Sequence, residues 1–284
     1  MLSLTALMYD LHLHSRRSDG ELKPLELAQH LVNLGCRGFS ITDNNFLSTE
    51  LKSVWSLAAS QDVWFISGIE ISSYDSLIGE TIHILGYGNN LDREQLNTAL
   101  VPVRDGFNQR AHQAIDNLNR KYPGLDINLN RLMDRTGSVC ISRHCLANEL
   151  RRFRNDGKTI RELLPEIYFD GGGSWLPDTR QVIDLITRSR GLAILAHPGK
   201  LLDRHQQIFP DLILRLAESG LRGIEVLHSG HTLEQAQYLR DFAKKFGLLV
   251  SGGSDWYGPN FSSGKSLGCP LTRREFNELL TAAG

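Results

Sequence analysis

Short apolar runs alternate along most of the chain with segments whose apolar residues recur every three or four positions, the pattern of a β/α protein. Pro24 opens a segment in which Leu27, Ala28, Leu31 and Leu34 share one helical face, and Gly35 stands where that helix should end. "GFSIT" (38–42) then reads as a buried strand. "WFISGIEIS", "TIHILGYG", "LAILAHPG", "GIEVLH" and "LLVSGGSD" read as further strands, with helices between several of them. Between about residues 99 and 178 the strand pattern fades, and "FNQRAHQAIDNLNRKY", "SRHCLANELRRF" and "TIRELLPEIYF" carry helical periodicity instead. The chain therefore divides into a first barrel part at 8–100, a small helical insertion at 101–179 and a second barrel part at 180–284, with "DGGGSW" (170–175) as a flexible return.

Composition narrows the class. The 284 residues carry a net charge of -1, with 22% charged residues, so no global bias marks a nucleic-acid coat or a membrane-surface protein. "RRFRNDGK" (151–158) is either a solvated helix end or a phosphate-facing patch. The longest apolar runs fall far short of a bilayer span, and "MLSLTALMYD" lacks a basic leader. Cys36, Cys140, Cys145 and Cys269 lie apart with no CxxC pair, which argues against a disulfide framework or a structural zinc site. A cytoplasmic protein without membrane contact or an obligate protein partner is expected.

The candidate chemistry starts in "YDLHLHSRRSDG" (9–20). In a strand, residues two apart share a face, so His12 and His14 can address one ion. Alone, the pair is weak. Glu70, His83, His197 and Asp255, however, each fall in or at the carboxyl end of an expected buried strand, where uncompensated titratable groups are costly. Strand carboxyl ends of a β/α barrel converge on one rim. Imidazoles and carboxylates without thiolate suit Mn, Fe or Zn in a catalytic site.

With "ITDNN", "SGIEIS", "TIHILGYG", "AILAHPG", "GIEV" and "GSDWYGP" in this order, the chain resembles the PHP (polymerase and histidinol phosphatase) family of metal-dependent phosphoesterases over nearly its whole length. Within that family it is most similar to the nucleoside 3′,5′-bisphosphate 3′-phosphatases and 5′-to-3′ exoribonucleases. The resemblance implies a distorted seven-stranded β/α barrel and a metal-dependent hydrolase. It also implies a ligand set: His12, His14, Glu70 and Asp255 for one divalent ion, and a bridging Glu70 with His83 and His197 for a second. Two such ions can share a hydroxide and clamp a phosphoryl group. Arg143 and His144, with Arg110, are candidates for substrate phosphate, the substrate being a phosphorylated small molecule or a short single-stranded nucleic acid.

The resemblance also exposes departures. Family members carry histidines where this chain has Asn44 and Tyr257, and in them those histidines join the residue matching Asp19 around a third metal. A neutral amide and a phenol are poor substitutes, so Asp19 alone should hold a third ion loosely at best. The Ile141-Ser142-Arg143-His144 stretch shifts the family's arginine by one residue, about 100° around a helix, and Gly106 and Phe107 stand in a normally arginine-rich stretch. Two readings stay open: a two-metal phosphoesterase, or a relative that binds metal or a phosphorylated ligand without efficient turnover. Asp10 and Asp43 are candidates to accept a hydrogen bond from a liganding imidazole, and His231 is a candidate supporting group. Glu225 is expected to orient neighbours rather than bind metal, and His228 could approach the rim. His30, His112 and His205 are expected at the surface, and Trp175 and Trp256 in packing.

Overall fold

The computed structural model describes residues 8–169, 172–259 and 267–284. The first residues of "MLSLTALMYD" and the start of "DGGGSW" lie outside them. The described strands are β1 (Tyr9–Asp10), β2 (Gly38–Ile41), β3 (Trp64–Asp75), β4 (Glu80–Tyr87), β5 (Leu192–Leu195), β6 (Gly223–His228) and β7 (Leu249–Gly253). They form one seven-stranded sheet in chain order. The sheet curls into a nearly closed barrel: Leu11 N–H donates to the Gly252 carbonyl (3.1 Å) and Asp255 N–H to that of His12 (2.9 Å).

The described α-helices are α1 (Pro24–Asn33), α2 (Leu51–Ser60), α3 (Arg93–Ala99), α4 (Val101–Lys121), α5 (Leu129–Thr136), α6 (Arg143–Arg154), α7 (Ile160–Leu163), α8 (Thr179–Arg188), α9 (Gly199–Arg204), α10 (Phe209–Glu218), α11 (Leu233–Phe246) and, after the last strand, α12 (Arg273–Ala283). Local signals set many of these ends. Pro24 takes the first turn of α1, and Ser142 caps α6 by accepting from the amide of His144. Helix α5 has no counterpart in the sequence reading; its eight residues are too few for a clear period.

Two features depart from an all-parallel barrel. Strand β4 runs antiparallel to both β3 and β5. His83 therefore sits in the amino-terminal half of β4, not near a carboxyl end, and reaches the same rim because the strand is reversed. In addition, the regular ladder of β1 stops at Asp10; His12 and His14 lie in an extended continuation held by a Leu13–Trp256 bridge and by Thr42 N–H donating to the Leu13 carbonyl (2.8 Å). Leu11 and Leu13 are fully buried, each contributing roughly 1.5–3 kcal/mol of transfer free energy, which fixes the alternation that holds both imidazoles.

The apolar interior separates into layers. Tyr9, Leu11, Ile66, Leu85, Tyr87 and Ile194 pack with Phe276 of α12 into one buried cluster. Several lie at the amino ends of parallel strands, which puts this layer at the end of the barrel away from the rim. A separate cluster, with Ala111, Leu118, Leu132, Leu146, Leu150 and Leu163, joins α4 to α7. In "RRFRNDGK", Arg154 pairs with Asp156 and Glu166, and Arg152 with Glu149, so two of the run's four cations are paired within the insertion.

Candidate functional site

The rim collects the six residues His12, His14, Glu70, His83, His197 and Asp255. The Glu70 carboxylate lies at their centre, on a strand whose backbone is pinned from the side: Glu70 N–H donates to the Asp43 carbonyl and Asn45 N–H to that of Glu70 (2.7 Å). Glu70 Oε2 is 3.4 Å from His12 Nε2 and 3.3 Å from His14 Nε2. Glu70 Oε1 is 2.9 Å from His83 Nδ1 and 3.1 Å from His197 Nε2. Asp255 Oδ1 stands 3.2 Å from His14 Nε2 and 3.7 Å from His12 Nε2.

These donor atoms fall into two compact groups, His12–His14–Asp255 and Glu70–His83–His197. Ligands ~2.1 Å from a tetrahedral ion lie roughly 3.4 Å apart, close to the spacings within each group. His12 Nε2 and His14 Nε2 are buried and make no hydrogen bond among the described residues. A buried polar atom without a partner is destabilising, and here both face the same carboxylates. The residues fit the binding of divalent cations.

Electrostatics agree with the geometry. Burial disfavours the charged His12 imidazole, but Glu225 and Glu70 outweigh it and hold its pKa well above the ordinary histidine value. Burial is likewise overcome at His14, where the adjacent Asp255 and Glu70 carboxylates raise the pKa to about 9. Burial would raise Glu70, yet the neighbouring His83 and His12 pull it well below the usual carboxylate range. Glu225, buried but beside His12, is lowered to about 2.

Glu225 also sets a tautomer. Its Oε1 is 3.1 Å from His12 Nδ1, and its Oε2 accepts the His197 N–H at 2.6 Å. A hydrogen on His12 Nδ1 leaves the Nε2 lone pair facing the site. His197 and Asp255 both have positive φ, +31° and +51°. Such backbone costs on the order of 1–3 kcal/mol per residue and clusters where side chains must be aimed.

The other expected residues separate into those near the site and those turned from it. Asp10 and Asp43 sit behind the rim, but among the described residues neither bonds an imidazole. Asp10 accepts from the Ser254 and Gly268 amides, and Asp43 from the Ser15 amide and the Ser15 and Ser18 hydroxyls. Both brace backbone, and burial raises both pKa values. His231 touches no candidate ligand either: its Nδ1 donates to the Val226 carbonyl and its Nε2 accepts the Gly199 N–H (3.0 Å), which ties the turn after His197 to β6. Arg143 is exposed and donates to the Leu164 carbonyl, away from the rim. Arg110 lies over the Trp175 ring, 3.8 Å from its centroid, and donates to the Gly106 carbonyl.

Around Asp19 the departures become legible. Asn44 Nδ2 donates to Asp19 Oδ2 (3.0 Å), while the Ser142 hydroxyl (2.5 Å) and the Cys145 thiol (3.3 Å) donate to Oδ1. Asp19 thus joins the barrel to the start of α6. Tyr257 stacks on His14, with centroids 4.4 Å apart, and on its other side contacts His144 at 5.3 Å. Burial, with Asp255 and Glu70 nearby, drives its phenol well above the ordinary tyrosine value, so it stays neutral. His144 belongs to this stack, and burial lowers its pKa. Trp256 is core, and His30 and His112 are exposed; His205 is half-buried and bonds Glu80.

His228, left undecided by the sequence, lies inside the cluster: its ring centroid is 5.5 Å from that of His197 and 6.2 Å from that of His12.

No family model matches the chain. The chain is 29% identical over 256 residues to the phosphoribosyl 1,2-cyclic phosphate 1,2-diphosphodiesterase of Eggerthella lenta, covering 88% of this chain and 94% of that one. It is 28% identical over 266 residues to the 3′,5′-nucleoside bisphosphate phosphatase of Chromobacterium violaceum (91% and 90%). It is 27% identical over 259 residues to a 5′-3′ exoribonuclease of Haemophilus influenzae (88% and 90%). Among solved structures, a Bifidobacterium adolescentis protein provisionally named a metal-dependent phosphoesterase superposes with a TM-score of 0.80 at 22% identity, over 98% of this chain and 97% of that one.

Proposed function

We propose that this chain is a metal-dependent phosphoesterase of the PHP type, in which two divalent cations held about Glu70 serve hydrolysis of a phosphate ester borne on ribose. The observation that carries this reading is the division of one carboxylate. Glu70 Oε2 faces His12 and His14, and Oε1 faces His83 and His197. His12, His14 and Asp255 would hold one ion and His83 with His197 the other, with Glu70 between them. Manganese, iron or zinc suits such nitrogen and oxygen donors, and when bound would polarise phosphoryl oxygens and render water nucleophilic near neutral pH.

The chain's own residues supply the alignment. Glu225 fixes the His12 tautomer, and burial keeps bulk water from the His12 and His14 imidazoles. The third-ion residues have become a hydrogen-bonded bridge around Asp19, while both donor groups of the pair remain intact. That supports turnover over metal binding alone. The names of the three relatives share one chemical feature, phosphate esterified to ribose, which favours a phosphorylated small molecule or a short single-stranded RNA as substrate.

The test uses protein stripped with a chelator and reloaded with Mn²⁺. It is assayed on p-nitrophenyl phosphate, bis(p-nitrophenyl) phosphate, adenosine 3′,5′-bisphosphate and a 5′-phosphorylated oligoribonucleotide. Chelator-sensitive turnover is expected, faster on a ribose phosphate than on the aryl esters. Stoichiometric bound metal with no turnover on any of the four would overturn the proposal.

A further inference from the structure

We infer that His228 is a substrate-binding residue of this site, donating its Nε2–H to a non-bridging oxygen of the phosphoryl group. The inference rests on the phosphoesterase reading and adds a residue to it. Three observations support it independently.

The first is a hydrogen bond that settles the tautomer. Gly230 N–H donates to His228 Nδ1 at 2.9 Å. Because Nδ1 accepts, the hydrogen of the neutral ring sits on Nε2. A nitrogen that carries hydrogen cannot ligate a cation, which separates His228 from the neighbouring imidazoles and makes it a donor.

The second is an unmet need. His228 Nε2 is buried and has no hydrogen-bond partner among the described residues. A carboxylate oxygen, Asp255 Oδ2, approaches only to 3.5 Å. A buried donor of this kind costs about 1–3 kcal/mol unless something accepts its hydrogen. The ring lies beside His197 and His12, one from each donor group, so a phosphoryl group seated against both groups would bring it an acceptor.

The third is the strand that aims it. Side chains two apart share a strand face, so Glu225, which points inward to His12, should be followed inward by Leu227 and not by His228. Strand β6 carries a bulge against β7: Glu225 pairs with Ser251 and Leu227 with Gly252, so two steps on β6 meet one on β7. The extra residue reverses the alternation, and Glu225 and His228, three apart, both face the site. Bulges re-aim side chains in this way beside functional sites and are rare between parallel strands.

Holoenzyme variants His228→Ala and His228→Gln provide the test, with Mn²⁺ content, kcat, KM and the affinity for inorganic phosphate measured for each. Removing a donor aimed at developing charge typically costs about 10²–10³ in kcat. His228→Ala should lose that much, bind inorganic phosphate at least tenfold more weakly, and retain both ions. His228→Gln, whose amide N–H can reach the position of Nε2, should recover at least tenfold of the loss. Metal loss in both variants would assign His228 to the cage and overturn the inference. Phosphate affinity and kcat within twofold of the parent would overturn it as well. A parent protein that neither turns over nor binds phosphate would bring down the phosphoesterase reading itself, and this assignment with it.

Discussion

Replacing Glu225 by glutamine isolates the role of the carboxylate behind His12, because shape is kept and one acceptor is exchanged for a donor. Both Glu225 oxygens are engaged, Oε1 with His12 Nδ1 at 3.1 Å and Oε2 with the His197 amide at 2.6 Å. Glutamine has a single acceptor oxygen. A backbone N–H can only donate, so that oxygen goes to His197 and the new NH₂ faces His12 Nδ1. The imidazole must then accept at Nδ1 and carry its hydrogen on Nε2, the atom 3.4 Å from Glu70 Oε2. The tautomer left is one that cannot ligate.

Loss of a hydrogen-bond partner behind a liganding histidine costs about 10–100-fold in metal affinity, which is about 1.4–2.7 kcal/mol. The assay is a Zn²⁺ titration in competition with a chromophoric chelator, read alongside elemental analysis and thermal unfolding. One of the two ions should weaken by that factor, since only His12 among the six changes tautomer, while the other keeps its affinity. Two ions bound within twofold of the parent would refute the tautomer argument.

Three shorter predictions use other parts of the structure. Gly253→Ala would place a Cβ 2.4 Å from both the backbone nitrogen and the Cβ of His12; overpacking of this kind costs about 1–3 kcal/mol, so a lower unfolding temperature and reduced metal content are expected, and parent-like metal content would contradict it. Asn44→His combined with Tyr257→His should recruit a third ion at high Mn²⁺, and adding Ser142→Ala should tighten it by removing the shorter of the two hydrogen bonds to Asp19 Oδ1; unchanged stoichiometry in the triple variant would count against this account. In the metal-free protein His14 is raised to about 9, so its stabilising contribution is full below about 6.5 and is lost as pH rises through about 9. Metal uptake must displace that proton, so affinity should climb with pH towards about 9, and pH-independent affinity in chelator competition would argue against it.

The fold was legible where a local period matched a local structure. Leu27, Ala28 and Leu31 bury one side of α1, and "LAIL" is a fully buried strand. The six rim residues stood out because buried strands rarely carry so many titratable groups. What stayed hidden was set by pairing, which a single strand does not encode. Reversal of β4 depends on its hairpin with β3, where His83 pairs with Ser72. The hydrogen bonds of Asp10 and Asp43 to backbone amides depend on loops that meet only in the folded barrel.

His228 shows the same limit from the other side. Read with a strict period of two, "GIEVLH" sends Glu225 and His228 to opposite faces, and only the shifted register against β7 brings them together. The changes at Asn44 and Tyr257 carry the argument one step further. From the sequence they read as the loss of two ligands; in the structure the amide of Asn44 and the hydroxyl of Ser142 satisfy Asp19 directly, and Tyr257 fills the space between His14 and His144. The Asp19 carboxylate is thereby bonded to the start of the helix that bears His144.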